Sequence, residues 1–306
     1  MNPRFERNTP RPLHQPDPTE LSRVVVVLVG TSHPGNVGSA ARALRNMGLS
    51  QLRLVSPRFA DMASQPEAIA FASGADAVLQ ATTVHAQLDE AIADCALAVA
   101  VSAEPREFSA LPQTPEAACA RALQVLRDHT GHRVALVFGA ERTGLTIEQV
   151  QRCGLLLSIP GHPEYNSLNL AQAVQIVAYV LRQQALMAGR TGIDPNQQAS
   201  VDPDPAQPVA DSAESGRSAA QLGRAQPPAG EDVRLADQHA VQGLLEHLER
   251  MLIEIEFLDP EKPRKLMPRL ARFMHRARPT TEEVDLLRGI CKAVLARKSD
   301  RSGRIH

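Results

Sequence analysis

The chain has 306 residues, of which 43% are apolar, enough for one large buried core or two ordinary ones. Its 33 basic and 34 acidic residues nearly cancel, so the overall charge gives no sign of a nucleic-acid partner. Four cysteines without a Cys-x-x-Cys pair, and no histidine cluster at zinc spacing, argue against a zinc-bound scaffold and favour reduced thiols, no metal and a cytoplasmic location.

The N-terminal segment 1–20 is rich in proline and polar residues and has no apolar stretch, which predicts a disordered tail rather than a secretory signal. From Leu21 the pattern changes to apolar runs that alternate with amphipathic stretches. The run Val24–Val29 is the longest candidate for a membrane span and is only strand-sized, so no membrane association is expected. Its β-branched residues predict a strand that is buried on both faces.

Strand and helix patterns alternate as far as residue 188, which predicts an α/β domain over residues 21–188 with a mostly parallel sheet of about five strands. Gly48 indicates the end of the first helix, and Thr114 indicates the start of a later one. In chain order, the remaining predicted elements are a helix over Asn36–Met47, a strand over Leu52–Val55, helices over Pro66–Ala72 and Leu88–Ala93, a strand over Ala96–Val101, a helix over Thr114–His129, a strand over Val134–Phe138, a helix over Ile147–Cys153, a strand over Leu155–Ile159, and a helix over Ser167–Ala188.

The composition changes again after residue 188. Segment 189–232 has many Pro, Gly, Ser, Asp and Gln residues and few large apolar ones, which predicts a flexible linker. Segment 233–306 has apolar residues at helical spacing and predicts a small helical domain. A domain of about 65 residues is near the lower limit for independent stability, so it is expected to dock on another surface. The apolar positions are Leu244, Leu245, Leu248, Met251, Leu252, Ile255, Leu266, Leu270, Phe273, Met274, Val284, Leu287, Ile290, Val294 and Leu295.

Three strand ends of the predicted sheet carry small and polar residues. After the first strand comes Asn36-x-Gly38-x-x-x-Arg42, in which small residues allow a ligand to approach the backbone and Arg42 offers a bidentate grip on phosphate. After another strand comes Phe138-Gly139-x-Glu141-x-x-Gly144-Leu145. A third strand ends at Ile159-Pro160 and leads into Asn166-Ser167-Leu168-Asn169-Leu170. Because ligands of open α/β sheets bind at the carboxyl ends of the strands, the three loops together predict a ligand site.

Each loop also has a plain structural interpretation, which stays open at this stage. The first fits a tight turn with an asparagine cap and a solvated helix face. The second fits a turn with an exposed Glu–Arg pair. In the third, Asn166 or Ser167 would cap the helix that follows. No dinucleotide fingerprint and no phosphate-binding Gly-Lys-Ser/Thr loop is present, which disfavours an ordinary nucleotide-dependent enzyme.

Taken together, the three motifs resemble those of the SPOUT class of RNA methyltransferases and, within it, the TrmJ-type tRNA 2'-O-methyltransferases. The resemblance covers about residues 22–188 and 240–298, and it includes Arg276-Ala277-Arg278-Pro279 and Leu287-Arg288-Gly289-Ile290. It implies a C-terminal trefoil knot in the α/β sheet domain, a homodimer with composite active sites, and S-adenosylmethionine as the methyl donor. The implied reaction is 2'-O-methylation of a pyrimidine nucleotide, nucleotide 32, in the anticodon loop of tRNA.

The resemblance also implies site residues. Arg42, supplied by the partner subunit, would act in catalysis and contact the RNA with Asn36, while Ser167 and Asn169 would position the reacting groups. Residue 101 departs from the family pattern, because Val101 replaces an expected threonine and removes a hydroxyl contact. The implied cofactor-binding residues are Val101, Ser102, Ala103, Gly139, Glu141, Ile159, Ser167, Leu168 and Asn169.

Residues 262–278 contain seven lysines and arginines and no acidic residue. Arg269, Arg272 and Arg276 fall on one side of the predicted helix, while Leu266, Leu270 and Phe273 are expected on the inner side. Such a run is often only a solvated face, but here the rest of the chain is net acidic, so the cluster predicts an RNA-binding surface. Two alternatives remain: a ribosomal RNA substrate, and an RNA-binding adaptor without catalytic activity.

The motifs contain no Asp–His or Glu–His pair that could take the proton of the ribose hydroxyl. A guanidinium stays protonated in proteins, so Arg42 is not expected to act as a base. The sequence therefore assigns Arg42 to phosphate binding and to stabilising negative charge on the oxygen. If Arg42→Ala and Arg42→Lys both methylate tRNA at the wild-type rate, Arg42 does not belong to the site.

Overall fold

A computed structural model describes residues 19–103, 111–162, 164–190 and 234–302. The predicted tail 1–20 and linker 189–232 lie almost wholly outside these ranges. Within them, no helix has both the length and the hydropathy needed to cross a membrane. No group of three or more metal-ligating side chains occurs in the part of the chain that is described.

The described chain forms seven strands and ten α-helices, and the predicted elements are confirmed with small shifts at their ends. The strands are β1 (Val24–Val29), β2 (Gln51–Val55), β3 (Thr83–His85), β4 (Leu97–Val101), β5 (Pro112–Gln113), β6 (Val134–Phe138) and β7 (Leu155–Leu157). The helices are α1 (Pro34–Asn46), α2 (Pro66–Ala72), α3 (Asp76–Gln80), α4 (Leu88–Ile92), α5 (Pro115–Asp128), α6 (Ile147–Gln151), α7 (Leu170–Arg190), α8 (Gln238–Glu254), α9 (Leu266–Ala277) and α10 (Thr281–Ser302).

All seven strands join one parallel sheet in the order β3-β2-β1-β6-β4-β7-β5. The count exceeds the predicted five because β3 and β5 have only three and two residues and lie at the two edges. Strands this short carry no measurable alternation of apolar and polar side chains, so periodicity could not reveal them.

Both faces of the sheet are covered, as the run Val24–Val29 predicted. Alternate residues of that strand enter two separate cores, because successive side chains of a strand point to opposite faces. One face packs against α1, α2, α3, α5 and α7. The other packs against the short helices α4 and α6, and small side chains such as Ala98, Ala100 and Ala135 line it.

Strand β7 lies between β4 and β5 although it follows both in the sequence. The connection between β4 and β5 must therefore pass the position of β7, which is compatible with the trefoil knot that the family resemblance implies. Part of that connection, residues 104–110, lies outside the described residues. The threading itself stays a prediction from the family resemblance.

Helix α7 begins three residues later than predicted, at Leu170. The predicted cap, Asn166 or Ser167, is wrong. Asn169 caps the helix instead, because its side-chain oxygen accepts hydrogen bonds from the backbone N–H groups of Ala171 (2.9 Å) and Gln172 (3.4 Å). Residues 166–169 thus stay in an open loop above the sheet.

The C-terminal helices α8, α9 and α10 form their own apolar core around Leu244, Met274 and Val284. One predicted inward position is wrong, since Phe273 is 51% exposed. Leu270 and Met274 fill the inner side of α9, whereas Phe273 faces outward.

These helices dock on the sheet domain of the same chain. The backbone N–H groups of Gln238 and His239 at the start of α8 donate to the carbonyls of Cys95 (2.9 Å) and Ala93 (3.2 Å). The backbone N–H of Leu235 donates to Nε2 of the buried His132 (3.1 Å). The docking surface expected from the small size of the helical domain is therefore the face of the sheet that carries α4 and α6.

Candidate active site

A cleft of about 250 Å³ opens at the carboxyl ends of β4, β6 and β7, and we call it the strand-end cleft. It is lined by Val101, Ser102, Ala103, Phe138, Gly139, Ala140, Glu141, Arg142, Thr143, Gly144, Ile159, Asn166, Ser167, Leu168, Leu170 and Ala173. The sequence predicted a ligand site at this edge, and the structure brings the loops after β4, β6 and β7 together there.

The floor of the cleft depends on a tight turn after β6. Gly144 has a left-handed backbone (φ +65°), and its N–H donates to the carbonyl of Ala140 (2.9 Å). A Cβ on Gly139 would lie 2.1 Å from the carbonyl carbon of Gly144, so only glycine allows the turn to fold back this closely. Gly139 is therefore required by the turn itself.

Glu141 lies in that turn and points its carboxylate at the loop after β1. The carboxylate accepts hydrogen bonds from the hydroxyl of Thr31 (2.9 Å), from the N–H of Ser32 (3.1 Å) and from the side-chain amide of Asn36 (3.0 Å). The predicted alternative of an exposed Glu–Arg pair is wrong. Although Glu141 borders the cleft, its carboxylate joins two loops instead of pointing toward a ligand.

Asn36 also contacts Asn169 in the third loop. Its side-chain oxygen accepts from the side-chain amide of Asn169 (3.0 Å), and the oxygen of Asn169 caps α7. The orientation of both amides follows from the two ends of the chain of contacts, because an ionised carboxylate only accepts and a backbone N–H only donates. Glu141, Asn36 and Asn169 therefore connect all three sequence motifs.

The same contacts set the charge of Glu141. Burial would raise the pKa of its carboxyl, but the hydrogen bonds from Asn36, Thr31 and Ser32 outweigh that effect and lower the pKa to about 2. A carboxylate with so low a pKa and so many donors is a poor acceptor for a substrate proton. Glu141 is thus a structural anchor and not a general base.

Arg42 does not line the strand-end cleft. It is exposed on α1 and lies in a second cleft between α1, α2 and α7. Gly38 in the same motif faces α2, where a Cβ would lie 2.1 Å from the carbonyl oxygen of Ala68. This glycine permits close helix packing, which is a different role from the ligand approach that the sequence suggested.

The predicted cofactor residues meet in the strand-end cleft with one exception, since Asn169 faces Asn36 and α7. The segment Val101–Ala103 forms one wall, and the N–H of Ser102 already donates to the carbonyl of Leu157 (3.0 Å). The sequence reasoning missed Phe138, Arg142 and Thr143. Arg142 and Thr143 stand between the two glycines of the second motif, so that motif was the available signal.

The walls of the cleft suit S-adenosylmethionine. Val101, Ile159 and Leu168 give the cleft apolar surface of the kind a planar adenine ring requires, and Ser167 and Thr143 add polar groups to its lining. Small residues at 139, 140 and 144 let a ligand reach the backbone.

Two family models match the chain. Residues 23–179 match the model of the SpoU rRNA methylase family, and residues 239–303 match the model of the C-terminal domain of the tRNA methyltransferase TrmJ. The first match covers the sheet domain with all three motifs. The second covers the helical domain with its basic run.

Similar proteins and structures agree with these matches. The tRNA (cytidine/uridine/adenosine-2'-O-)-methyltransferase TrmJ of Pseudomonas aeruginosa is 40% identical over 270 residues, which is 88% of this chain and 93% of that protein. The tRNA (cytidine/uridine-2'-O-)-methyltransferase TrmJ of Cronobacter sakazakii is 34% identical over 281 residues, 92% of this chain and 99% of that protein.

Among solved structures, TrmJ from Z. mobilis superposes with a TM-score of 0.65 at 29% identity and covers 88% of this chain and 98% of that one. A probable methyltransferase from Bordetella pertussis superposes with a TM-score of 0.52 at 46% identity and covers 54% of this chain and 98% of that one. The chain therefore belongs to the SpoU family of RNA methylases and, within it, to the TrmJ group of tRNA 2'-O-methyltransferases.

Proposed function

We propose that this protein uses S-adenosylmethionine to methylate the ribose 2'-oxygen of a pyrimidine at nucleotide 32 in the tRNA anticodon loop. The observation that carries the proposal is the Glu141–Asn36–Asn169 connection, which joins the loop after β1 to the two motif loops that border the strand-end cleft. A relative that shares 40% identity over most of its length acts on the 2'-oxygen of tRNA cytidine, uridine and adenosine, as its name says.

The strand-end cleft would hold the methyl donor, with Val101, Ile159 and Leu168 against the adenine and Ser167 at the open end. The donor supplies an already activated sulfonium methyl group. The protein's own contribution is to align the ribose 2'-oxygen with that group, and alignment alone provides much of the rate acceleration. The connection through Asn36 and Asn169 fixes the loops that achieve the alignment.

The active form is a homodimer in this proposal, because Arg42 lies outside the strand-end cleft of its own subunit. Arg42 of one subunit would reach the reaction centre of the other, grip the neighbouring phosphate and stabilise negative charge on the 2'-oxygen. Helix α7 flanks the Arg42 cleft and exposes Tyr179 (51%) and Met187 (55%), which would be covered by a partner.

The helical domain would hold the tRNA backbone. Arg269, Arg272 and Arg276 are all exposed on α9, on the side opposite to the buried Met274. Reversing the three charges together should weaken tRNA binding and flatten its dependence on salt, because fewer counterions are then released. Reversing Arg250, Arg288 and Lys292, which are exposed elsewhere in this domain, gives a control matched in charge.

The direct test is to map ribose methylation by mass spectrometry in the tRNA and ribosomal RNA of a strain that lacks this protein. Loss of the methyl group at nucleotide 32 alone supports the proposal, and its return with the wild-type gene confirms the assignment. Loss at another tRNA nucleotide, or in ribosomal RNA, would correct the target. If no methyl group is lost and S-adenosylmethionine does not bind in calorimetric titration, the protein is an RNA-binding adaptor.

A further inference from the structure

A second cleft of about 380 Å³ lies between α1, α2 and α7, apart from the strand-end cleft, and we call it the Arg42 cleft. Five side chains that carry the argument line it: Arg42, Asn46, Phe71, Ser73 and Gln175. They provide a cation, an aromatic ring, a hydroxyl and two amides within one depression. The established family membership assigns no role to Phe71 or to the polar groups beside it.

Phe71 is 53% exposed, in a chain with only seven phenylalanines, two tyrosines and no tryptophan. Its helix packs on α1 through small buried residues, Ala68 and Ala72, so the large ring is left on the outer side. An exposed phenylalanine at the rim of a cleft offers a flat apolar face to a ligand.

The backbone that carries Phe71 is held in place by its surroundings. Helix α2 ends at Ala72, and the next two residues, Ser73 and Gly74, both take left-handed backbone conformations (φ 45° and 89°). The side chain of Arg45 on α1 donates to the carbonyl of Gly74 and ties the end of α2 to α1. The backbone of Phe71 therefore has a defined position relative to that of Arg42 on the packed helix pair α1 and α2.

The combination matches an unpaired nucleotide. Single-stranded RNA is recognised by bases that stack on aromatic side chains, by arginines on phosphates, and by amides and hydroxyls on base edges and sugars. We propose that the Arg42 cleft binds the target nucleotide, with its pyrimidine ring stacked on Phe71 and its phosphate held by Arg42. This inference rests on the proposed function, and it makes Phe71 a substrate-positioning residue.

The test compares Phe71→Leu, which keeps apolar bulk but loses the aromatic face, with Phe71→Tyr, which keeps that face. Phe59→Leu is the control, because Phe59 is also exposed on this domain (44%) but does not line the cleft. We expect Phe71→Leu to lower kcat/KM for tRNA by about tenfold, the usual scale for the loss of one stacked base, and to leave the affinity for S-adenosylmethionine unchanged. Phe71→Tyr and Phe59→Leu should stay near wild type.

A tRNA that lacks the base at the target nucleotide separates stacking from other roles. With this substrate, the kcat/KM of the wild-type protein should fall by about the same factor as Phe71→Leu causes with intact tRNA. Phe71→Leu should lower kcat/KM no further, because removing the base and removing the ring abolish the same interaction. A fluorescent pyrimidine at the target position should be quenched by the wild type and not by Phe71→Leu.

Three results would overturn the inference. The first is that Phe71→Leu lowers kcat/KM by the same factor with intact and with abasic tRNA. The second is that Phe71→Leu methylates intact tRNA with the wild-type kcat/KM. The third is dissociation of the Phe71→Leu dimer in light scattering, which would make Phe71 a subunit contact. In all three the wild-type protein still methylates tRNA, so the proposed function stands. If the wild type methylates no tRNA, the proposed function fails and this inference fails with it.

Discussion

Glu141 shows how one carboxylate can connect distant loops at the edge of a candidate active site. Its two oxygens receive donors from Thr31, Ser32 and Asn36, which lie more than a hundred residues earlier in the chain. The loop after β1 therefore takes its shape from the loop after β6. Because Asn36 also holds Asn169, a change at Glu141 reaches the third loop as well.

Replacing Glu141 by glutamine should open this connection. A glutamine side chain has only one acceptor oxygen, and its amino group can only donate. At least one of the donors from Thr31, Ser32 and Asn36 therefore loses its partner, at a cost of about 1–3 kcal/mol. We expect a lower melting temperature and a large loss of methylation activity. Glu261→Gln, an exposed carboxyl in the loop before α9, is the control and should change neither. Unchanged activity of Glu141→Gln would contradict the anchoring role.

The same carboxyl predicts how stability depends on acid. Its pKa is about 2 in the folded protein against an ordinary value of 4.5, so its contribution to stability is present above pH 4.5 and is lost as the pH falls toward 2. Wild-type protein should therefore lose more unfolding free energy than Glu141→Gln when the pH falls from about 5 to about 3. Chemical denaturation at these pH values measures the difference, and equal losses would contradict it.

At the level of residues, the sequence identified the side chains that connect the three loops but not the hydrogen bonds between them. Asn36, Glu141 and Asn169 all stand in motifs that the strand pattern placed at one sheet edge. Their mutual hydrogen bonds depend on the register of three loops, which no local pattern encodes. The same reason explains the misplaced cap of α7: Asn166, Ser167 and Asn169 all favour caps, and only the contact with Asn36 selects Asn169.

Two glycines in helices differ in the space around them, and a matched pair of alanine substitutions tests the difference. Gly38→Ala would place a Cβ against the backbone of Ala68, which cannot rotate away, and should destabilise the fold by about 1–3 kcal/mol. Gly289→Ala on α10 meets nothing within 4 Å and should stabilise its helix by about 1 kcal/mol. Thermal unfolding measures both. A similar effect of the two substitutions would show that α1 and α2 can separate at little cost.

The elements of the sheet domain were predictable because long helices and buried strands carry strong periodic signals. Val134–Phe138 and Pro66–Ala72 agree with their predicted bounds residue for residue. The edge strands β3 and β5 were not predictable, since pairing with a neighbour defines them and their own sequence does not. The outward position of Phe273 also could not be read from spacing, because α9 packs only one narrow side on its neighbours.

Docking of the C-terminal helices should be sensitive to mild acid. His132 is buried, and Nε2 accepts from Leu235 while Nδ1 contacts the carbonyl of Val125 (3.0 Å), an arrangement that requires neutral imidazole. Burial lowers the pKa of His132, and it lowers the pKa of His275 on α9 to about 4. Both histidines therefore stabilise docking fully above pH 6.5, and the stabilisation is lost as the pH falls below that value.

The double replacement of His132 and His275 by phenylalanine tests this prediction. The wild-type protein should lose stability between pH 7.5 and pH 5.5, with faster hydrogen exchange at Gln238 and His239, whose N–H groups make the docking bonds. The double variant should be less stable at pH 7.5 and show a flatter pH profile. His162→Gln, in an exposed loop, is the control. A profile as steep as that of the wild type would contradict the assignment.

At the scale of the whole molecule, the strand-end cleft, the Arg42 cleft and the basic helix α9 lie at separate places on the chain. The strand-end cleft suits the methyl donor, the Arg42 cleft contains the arginine and an aromatic ring, and α9 presents the basic surface. Helices α1 and α2 line only the second cleft, whereas α7 contributes Leu170 and Ala173 to the first and Gln175 to the second. In the proposed homodimer, complete sites would form between the two subunits.

Mixed dimers test this division directly. Arg42→Ala disables the Arg42 cleft and Asn169→Ala disables the loop of the strand-end cleft, so each homodimer should be almost inactive. In a mixed dimer, one of the two composite sites combines an intact Arg42 cleft with an intact strand-end cleft. Random reassociation of equal amounts should therefore restore about a quarter of the wild-type activity. If both residues acted within the same subunit, no mixed site would be intact and mixing would restore nothing.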